Sequence, residues 1–344
     1  MLYSIIRPAI FALEAESAHA LSLTALRSLP VLPAAAPDAV LAQDLAGLHF
    51  AAPVGLAPGY DKNAEVADRI MRLGFGFAEV GTLTPLPQAG NPHPRLFRLV
   101  EDRAVINRMG FNNDGQGVAA GRLEKIRRRA LAGPLGVNIG ANKESTDRIA
   151  DYVRGMQAME RFADYITVNI SSPNTPGLRA LQDRAALEDL LAQVMAARKS
   201  ATPVFLKVAP DLEPADIDDI VDVAIAHDLD ALIVSNTTIS RPALRSAHGA
   251  EAGGLSGAPL KSLSLQRLRD FRTASGGNIK LVGVGGIETA ADAYERIRAG
   301  ASLLQIYSAL VYEGPGLASR IHTELAALLK ADGFASITDA IGSE

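Results

Sequence analysis

The stretch "NISSPNTPGLR" (169–179) puts Ser172 between two asparagines and two prolines, directly after the apolar run Tyr165–Val168. Turn chemistry accounts for any one of these residues. Together they suggest a hydroxyl held rigidly over a ligand, because Pro173 and Pro176 lower the entropic cost of ordering the segment. Other residues that could do chemistry recur at the same kind of place, where an apolar run ends. They are Lys62, Thr82, Asn138, Asn169, Lys207, Asn236, the pair Gly285–Gly286, and Tyr307 with Ser308. Asparagines donate and accept at once, which suits a ring edged with alternating C=O and N–H groups. The glycines of "GVGGI" let a phosphate approach backbone N–H groups. Asp61 and Glu79 are the only carboxylates at these ends, so paired-carboxylate glycoside chemistry is not favoured.

The elements that must position these residues are legible as a rhythm. Eight apolar runs end on small polar residues and are followed by helical-period segments. They are 51–59, 77–82, 135–140, 165–171, 204–210, 231–238, 281–286 and 303–308. Near-continuous apolar strands alternating with amphipathic helices imply a parallel sheet covered on both faces. Eight such units predict an α/β fold of the (β/α)8 TIM barrel type, whose strand ends converge on one pocket. A doubly wound sheet is the alternative, weakened because no GxGxxG follows the first strand. The segment "PRLFRLVEDRAVINRMGFNNDG" reads as a β insertion on the barrel's C-terminal face.

Composition narrows the chemistry. The 344 residues are 48% hydrophobic and 21% charged, with a net charge of −4 and no basic block, which argues against a nucleic-acid partner. There is no cysteine, so disulfides, thiolate metal sites and cysteine nucleophiles are excluded. The six histidines show no metal-binding spacing, and no metal is expected. The N-terminal segment predicts two short amphipathic helices, with Ile5, Ile6, Ile10, Phe11 and Leu13 on the first. Leu21, Leu23, Leu26 and Leu29 mark the second. Arg7, Pro8, Glu14 and Glu16 interrupt it, so it lacks the ~20 apolar residues of a spanning helix. Such helices pack on the domain or lie in a membrane interface.

Seven segments, in order, resemble those of class 2 dihydroorotate dehydrogenases, the quinone-dependent, membrane-associated class. They are "INRMGFNN", "NISSPNTPGLR", "KVAPDL", "SNTT", "GGLSG", "GVGGI" and "GASLLQIYS". The resemblance covers nearly the whole chain. It implies a flavin mononucleotide (FMN) cofactor as hydride acceptor and oxidation of dihydroorotate to orotate in pyrimidine synthesis. It makes Ser172 the catalytic base that removes the C5 proton; Thr175, three residues on, is placed to relay that proton through a water, which is a hypothesis from its position. Lys62, Asn107, Arg108, Met109, Gly110, Phe111, Asn169, Asn174, Asn236 and Thr237 match substrate contacts. Pro58, Gly59, Tyr60, Asp61, Lys62, Thr82, Asn138, Asn169, Lys207, Ser235, Gly257, Gly286, Tyr307 and Ser308 match flavin contacts.

The resemblance also divides the chain at residue 40. Residues 1–40 would form a helical extension enclosing a quinone tunnel lined by His19 and Arg98, and 41–344 the FMN-binding barrel. It implies a monomer lying peripherally on the cytoplasmic face of a bacterial inner membrane. The soluble classes use a cysteine base, which this chain lacks. Family members commonly carry Ala and a Leu or Phe where Pro58 and Tyr60 stand here; Pro58 removes one backbone N–H. Ser235 replaces a frequent Thr and keeps the hydroxyl. Two rival readings remain: Lys207 as the Schiff-base lysine of an aldolase, and a catalytically dead barrel tethered to membranes.

Overall fold

The computed structural model describes residues 2–344. Two helices, α1 (Leu2–Phe11) and α2 (Ala15–Ser28), precede a hairpin of β1 (Gln43–Leu45) and β2 (Leu48–Phe50). The repeating unit begins with β3 (Val54–Leu56), α3 (Ala67–Arg72) and β4 (Ala78–Leu83). An excursion through β5 (Leu96–Leu99) and β6 (Ala104–Asn107) separates β4 from α4 (Gly115–Arg127). Regular units follow: β7 (Leu135–Ile139) with α5 (Arg148–Met159), and β8 (Tyr165–Asn169) with α6 (Arg184–Ala197). Next come β9 (Val204–Val208) with α7 (Pro214–Ala226), then β10 (Ala231–Val234), β11 (Gly254–Gly257) and α8 (Lys261–Ser275). The last units are β12 (Lys280–Val284) with α9 (Ala290–Arg298), and β13 (Ala301–Ile306) with α10 (Ser308–Glu313) and α11 (Leu317–Ala331). A short α12 (Ile337–Ala340) ends the fold.

Strands β3, β4, β7, β8, β9, β10, β12 and β13 close into a parallel barrel in that order. The eight apolar runs are its strands, and the (β/α)8 expectation holds. The runs look continuously apolar because both faces are covered. Leu206 and Val208 pack outward with the helices, while Phe205 and Lys207 face the axis two residues apart. Inward positions change character along that axis. At the N-terminal end Phe50 from the hairpin meets Phe77 edge-on, Phe77 meets Tyr165 edge-on, and Tyr165 stacks on Phe205, with ring centroids 4.5–6.4 Å apart. This aromatic plug seals the barrel bottom. Two residues further along come Glu79, Thr167 and Lys207, all buried, with Gln305 beside Glu79. Gly136 lies opposite Tyr165, and a Cβ there would sit 2.2 Å from the phenol ring.

Two features were not read from the sequence. The β1–β2 hairpin turns at Ala46–Gly47, both at positive φ, which is the turn its short strands require. The insertion does contribute two strands, yet β11 joins β6 from the far side of β10 to make a three-stranded antiparallel sheet. Its sequence "GLSG" is too glycine-rich to signal a strand by propensity.

His322 on α11 pins the start of the first barrel strand. Its buried Nε2 accepts the N–H of Val54 at 3.1 Å. Burial pushes the imidazole down to about 4 from 6.5. The unfolded chain therefore binds more protons between those values. The stabilisation is complete above pH 6.5 and is lost as pH falls toward 4, by up to roughly 3 kcal/mol. In His322→Gln, urea denaturation across this window is expected to show a flatter dependence of stability on pH; an unchanged slope would remove His322 as the cause.

Candidate active site

At the C-terminal mouth of the barrel lies a cavity of about 680 Å³ that continues between α1 and α2. Its floor is built by inward strand positions hydrogen-bonded to one another. Asn138 Nδ2 donates to Glu79 Oε1 at 2.7 Å. Tyr165 Oη and Gln305 Nε2 donate to Glu79 Oε2 at 3.1 and 2.6 Å. Above this buried carboxylate, Thr82 Oγ1 donates to Asn138 Oδ1, and Asn169 Nδ2 donates to both Thr82 Oγ1 and Asn138 Oδ1. Four strands thus fix each other's side chains before any ligand is considered.

The loop after β8 carries two serines with different tasks. Ser171 Oγ donates to Asn169 Oδ1 at 2.7 Å and accepts from Asn236 Nδ2 at 2.8 Å, stitching β8 to the end of β10. Ser172 instead faces the cavity, 5% exposed, its Oγ accepting the N–H of Asn174 at 3.2 Å. Arg179 holds the loop from outside by donating to the Ser171 carbonyl, to Asp211 and to the Thr237 carbonyl. Across the cavity, Asn174 Nδ2 donates to Asn107 Oδ1 at 3.1 Å, which joins this loop to the segment 107–111 after β6.

Two ammonium groups face the same space, Lys207 buried and Lys62 half-buried. Lys207 is pushed down to about 8 by burial, with Glu79 acting against the shift. Lys62 is also pushed to about 8 by burial; Glu16 and Asp61 oppose this and Arg95 reinforces it. On the opposite wall Gly257 and Gly286 have φ of +94 and +65. A Cβ at Gly257 would strike the Arg103 carbonyl, and one at Gly286 the backbone of Lys261, so this wall is as thin as a chain permits. Ser308 Oγ donates to Ser256 Oγ at 2.7 Å, fixing the start of α10 on β11. Buried Arg296 donates to the Gly285 carbonyl and holds the glycine loop from behind.

The upper part of the cavity is apolar and bounded by α1 and α2. His19 meets the ring of Tyr60 edge-on at 5.1 Å and tilts against Tyr307 at 6.4 Å. Burial and the charge of Lys62 push His19 down to about 3, so it is neutral. Arg98 donates to the carbonyls of Ile10 and Leu13 and lies 4.9 Å over the Phe11 ring, which caps α1 against the sheet.

Residues 40–329 match the family model for dihydroorotate dehydrogenase. The chain belongs to the dihydroorotate dehydrogenase family. It is 64% identical over 343 residues to the dihydroorotate dehydrogenase (quinone) of Sphingopyxis alaskensis, covering 99% of this chain and 96% of that one. The protein of the same name from Novosphingobium aromaticivorans is 63% identical, covering 99% of both. A crystal structure of DHODH from Eimeria tenella in complex with ferulenol superposes with a TM-score of 0.93 at 41% identity, over 97% of this chain and 98% of that one. Within the dihydroorotate dehydrogenase family the chain belongs to the quinone-dependent class, and it is an oxidoreductase.

Most residues singled out from the sequence line the one cavity. Pro58, Gly59, Tyr60, Lys62, Thr82, Asn107, Met109, Gly110, Phe111, Asn169, Ser172 and Asn174 do so. So do Lys207, Ser235, Asn236, Thr237, Gly257, Gly286, Tyr307, Ser308, His19 and Arg98. Four do not. Arg108 turns away to pair with Glu251 at 2.7 Å and lie over Phe97. The Asp61 carboxylate, pushed up to about 6 by burial, accepts the N–H groups of Glu65 and Val66 ahead of α3. Asn138 lies beneath the floor, and Thr175 is buried in its loop with Oγ1 unpartnered among the described residues. Sequence reasoning missed the supporting groups Gln305, Tyr165, Ser171, Arg179 and Arg95. Only Ser171 had a signal, its place in the paired serines.

Proposed function

We propose that the protein oxidises dihydroorotate to orotate, with FMN as the hydride acceptor and a membrane quinone as the final acceptor, in pyrimidine biosynthesis. The relatives named above support the substrate and acceptor. The observation that carries the reading is one cavity holding a hydroxyl wall at Ser172 and an ammonium floor at Lys207, continued by an apolar passage under two helices.

The residues present fit a flavin. Lys207 is buried with no hydrogen bond from the described residues, so its ammonium is available to a ligand's acceptor. Asn169 and Thr82 offer fixed amide and hydroxyl groups to a ring edge, with Asn138 holding both from below, and the thin wall at Gly257 and Gly286 admits a phosphate to backbone N–H groups. When bound, the flavin supplies the two-electron chemistry. Ser172 takes the C5 proton, and Thr175, three residues on and uncommitted, passes it toward solvent. Lys62 pairs with the substrate carboxylate, while Asn107, Asn174, Asn236 and Thr237 orient the pyrimidine. Met109, Gly110 and Phe111 close the segment over it.

The extension of residues 1–40 serves the acceptor. Ile5, Ile6, Leu13, Leu21, Leu29 and Leu32 are exposed, an apolar concentration unmatched elsewhere on the described surface. No described helix is long and apolar enough to cross a membrane. We infer a monomer resting on lipid through these side chains, on the cytoplasmic face of an inner membrane, so that quinone enters past His19 and Arg98.

The test is an anaerobic stopped-flow mix of the flavin-loaded protein with L-dihydroorotate, then with a short-chain quinone. Bleaching by the first and recovery with the second are expected, along with co-sedimentation on phospholipid vesicles. A protein that binds no flavin, or whose flavin ignores dihydroorotate, would sink the reading.

A further inference from the structure

We propose that Arg95 is a positioning residue that joins helix α2 to the segment over the substrate side of the cavity, so that the two walls move together. This inference rests on the functional reading above. Arg95 is 7% exposed and its guanidinium serves two partners in opposite directions. Toward α2 its Nε donates to Glu16 Oε2 at 3.0 Å and its Nη2 to Glu16 Oε1 at 2.7 Å. Toward the barrel its Nη1 donates to the carbonyls of Ala89 and Asn91 at 2.6 and 2.9 Å.

Asn91 carries the connection onward. Its side-chain amide donates to the carbonyls of Arg108 and Asn174 at 3.0 and 3.2 Å, and its N–H to the Met109 carbonyl at 3.0 Å. The Arg95 carbonyl accepts the N–H of Arg108 at 2.9 Å. Glu16 on the acceptor side is thus linked through Arg95 and Asn91 to Asn174, whose side chain holds Asn107. Packing leaves little slack: a Cβ on Gly90 would lie 2.3 Å from the Met109 carbonyl and 2.9 Å from the Arg95 guanidinium.

Helix α2 needs such a tie because it fully buries none of its residues. Its other polar ties are Glu16 to His93 at 3.3 Å, Ser22 to Tyr60 at 2.9 Å and Arg27 to Glu65 at 3.1 Å. None of these three bonds the 89–91 loop itself. Energetic coupling between two sites requires a physical element that both of them bias, and the Arg95 network is one. Coupling is reciprocal, so whatever firms α2 also firms the substrate wall.

The test titrates orotate into the flavin-loaded protein by calorimetry and reads amide hydrogen exchange at 107–112. Glu16→Gln and Arg95→Gln are each expected to weaken orotate roughly fivefold or more. The double variant should be little worse than the worse single one, and both singles should exchange faster at 107–112. Arg27→Ala, which loosens the same helix elsewhere, should leave orotate unaffected. If Arg95→Gln does not fold, Arg95→Lys keeps the charge without the fork and should lose the same coupling.

Glu16 and Arg95 carry opposite charges near Lys62, so a purely through-space effect would move orotate affinity in opposite directions in the two variants. Opposite signs, no change in either, or an equal loss in Arg27→Ala would each overturn the proposal. Orotate binding by the wild-type protein tests the functional reading alone, so the two failures are separable.

Discussion

If Ser172 is the base proposed above, replacing it by alanine should slow flavin reduction by dihydroorotate by roughly 10²–10⁴-fold, the usual contribution of a positioned general base. The expectation rests on what surrounds the hydroxyl. Its oxygen accepts the Asn174 N–H, and the loop beneath it is held by Arg179 and by Ser171, neither of which the substitution touches. The cavity wall therefore survives and only the proton acceptor is lost. Stopped-flow reduction combined with an orotate titration separates the two effects. Slowing of less than tenfold, with orotate bound normally, would take the base role away from Ser172. Thr175→Ala should give a smaller loss in the same assay, because a relay affects where the proton goes after it has left carbon.

The second large effect is expected at Lys207. Lys207→Met keeps the length of the side chain and removes the positive charge at the cavity floor. Groups aimed at developing charge in a dry site typically supply 10²–10³-fold in rate, so reduction should slow by about that factor, and the midpoint potential of the bound flavin should fall. The hydrogen bonds that Glu79 accepts from Asn138, Tyr165 and Gln305 are untouched by this change, so the fold beneath the cavity should hold. Denaturation and spectroelectrochemistry check the two halves, and a folded variant whose flavin keeps the wild-type rate and potential would take this role away from Lys207.

Most of the barrel was legible because its period is long and its chemistry repeats. Eight apolar runs, seven of them ending on Gly, Ser or Thr and one on Pro, could be placed without any contact information, and the strand ends then had to share one mouth. The supporting groups were not legible, because what makes them matter is non-local. Gln305 sits 226 residues from the carboxylate it serves, and Arg179 lies 58 from the Thr237 carbonyl. Arg108 shows the opposite limit. Its motif, "NRMGF", does line the cavity, yet the arginine follows the alternation of the chain outward to Glu251. The third strand of the excursion sheet escaped because pairing with β6, rather than its own residues, makes "GLSG" a strand.

The aromatic plug has a consequence for anyone who would engineer this protein. The bottom of a barrel is the usual place to seek heat tolerance without disturbing catalysis, since activity resides at the other end. Here Tyr165 belongs to both worlds. Its ring stacks on Phe205 in the plug, and its hydroxyl donates to Glu79, the carboxylate beneath the cavity floor. A consensus or cavity-filling redesign of the plug that moved this phenol would retune the electronics of the floor along with the melting temperature. Thermostability and redox character therefore cannot be optimised as independent traits at this position.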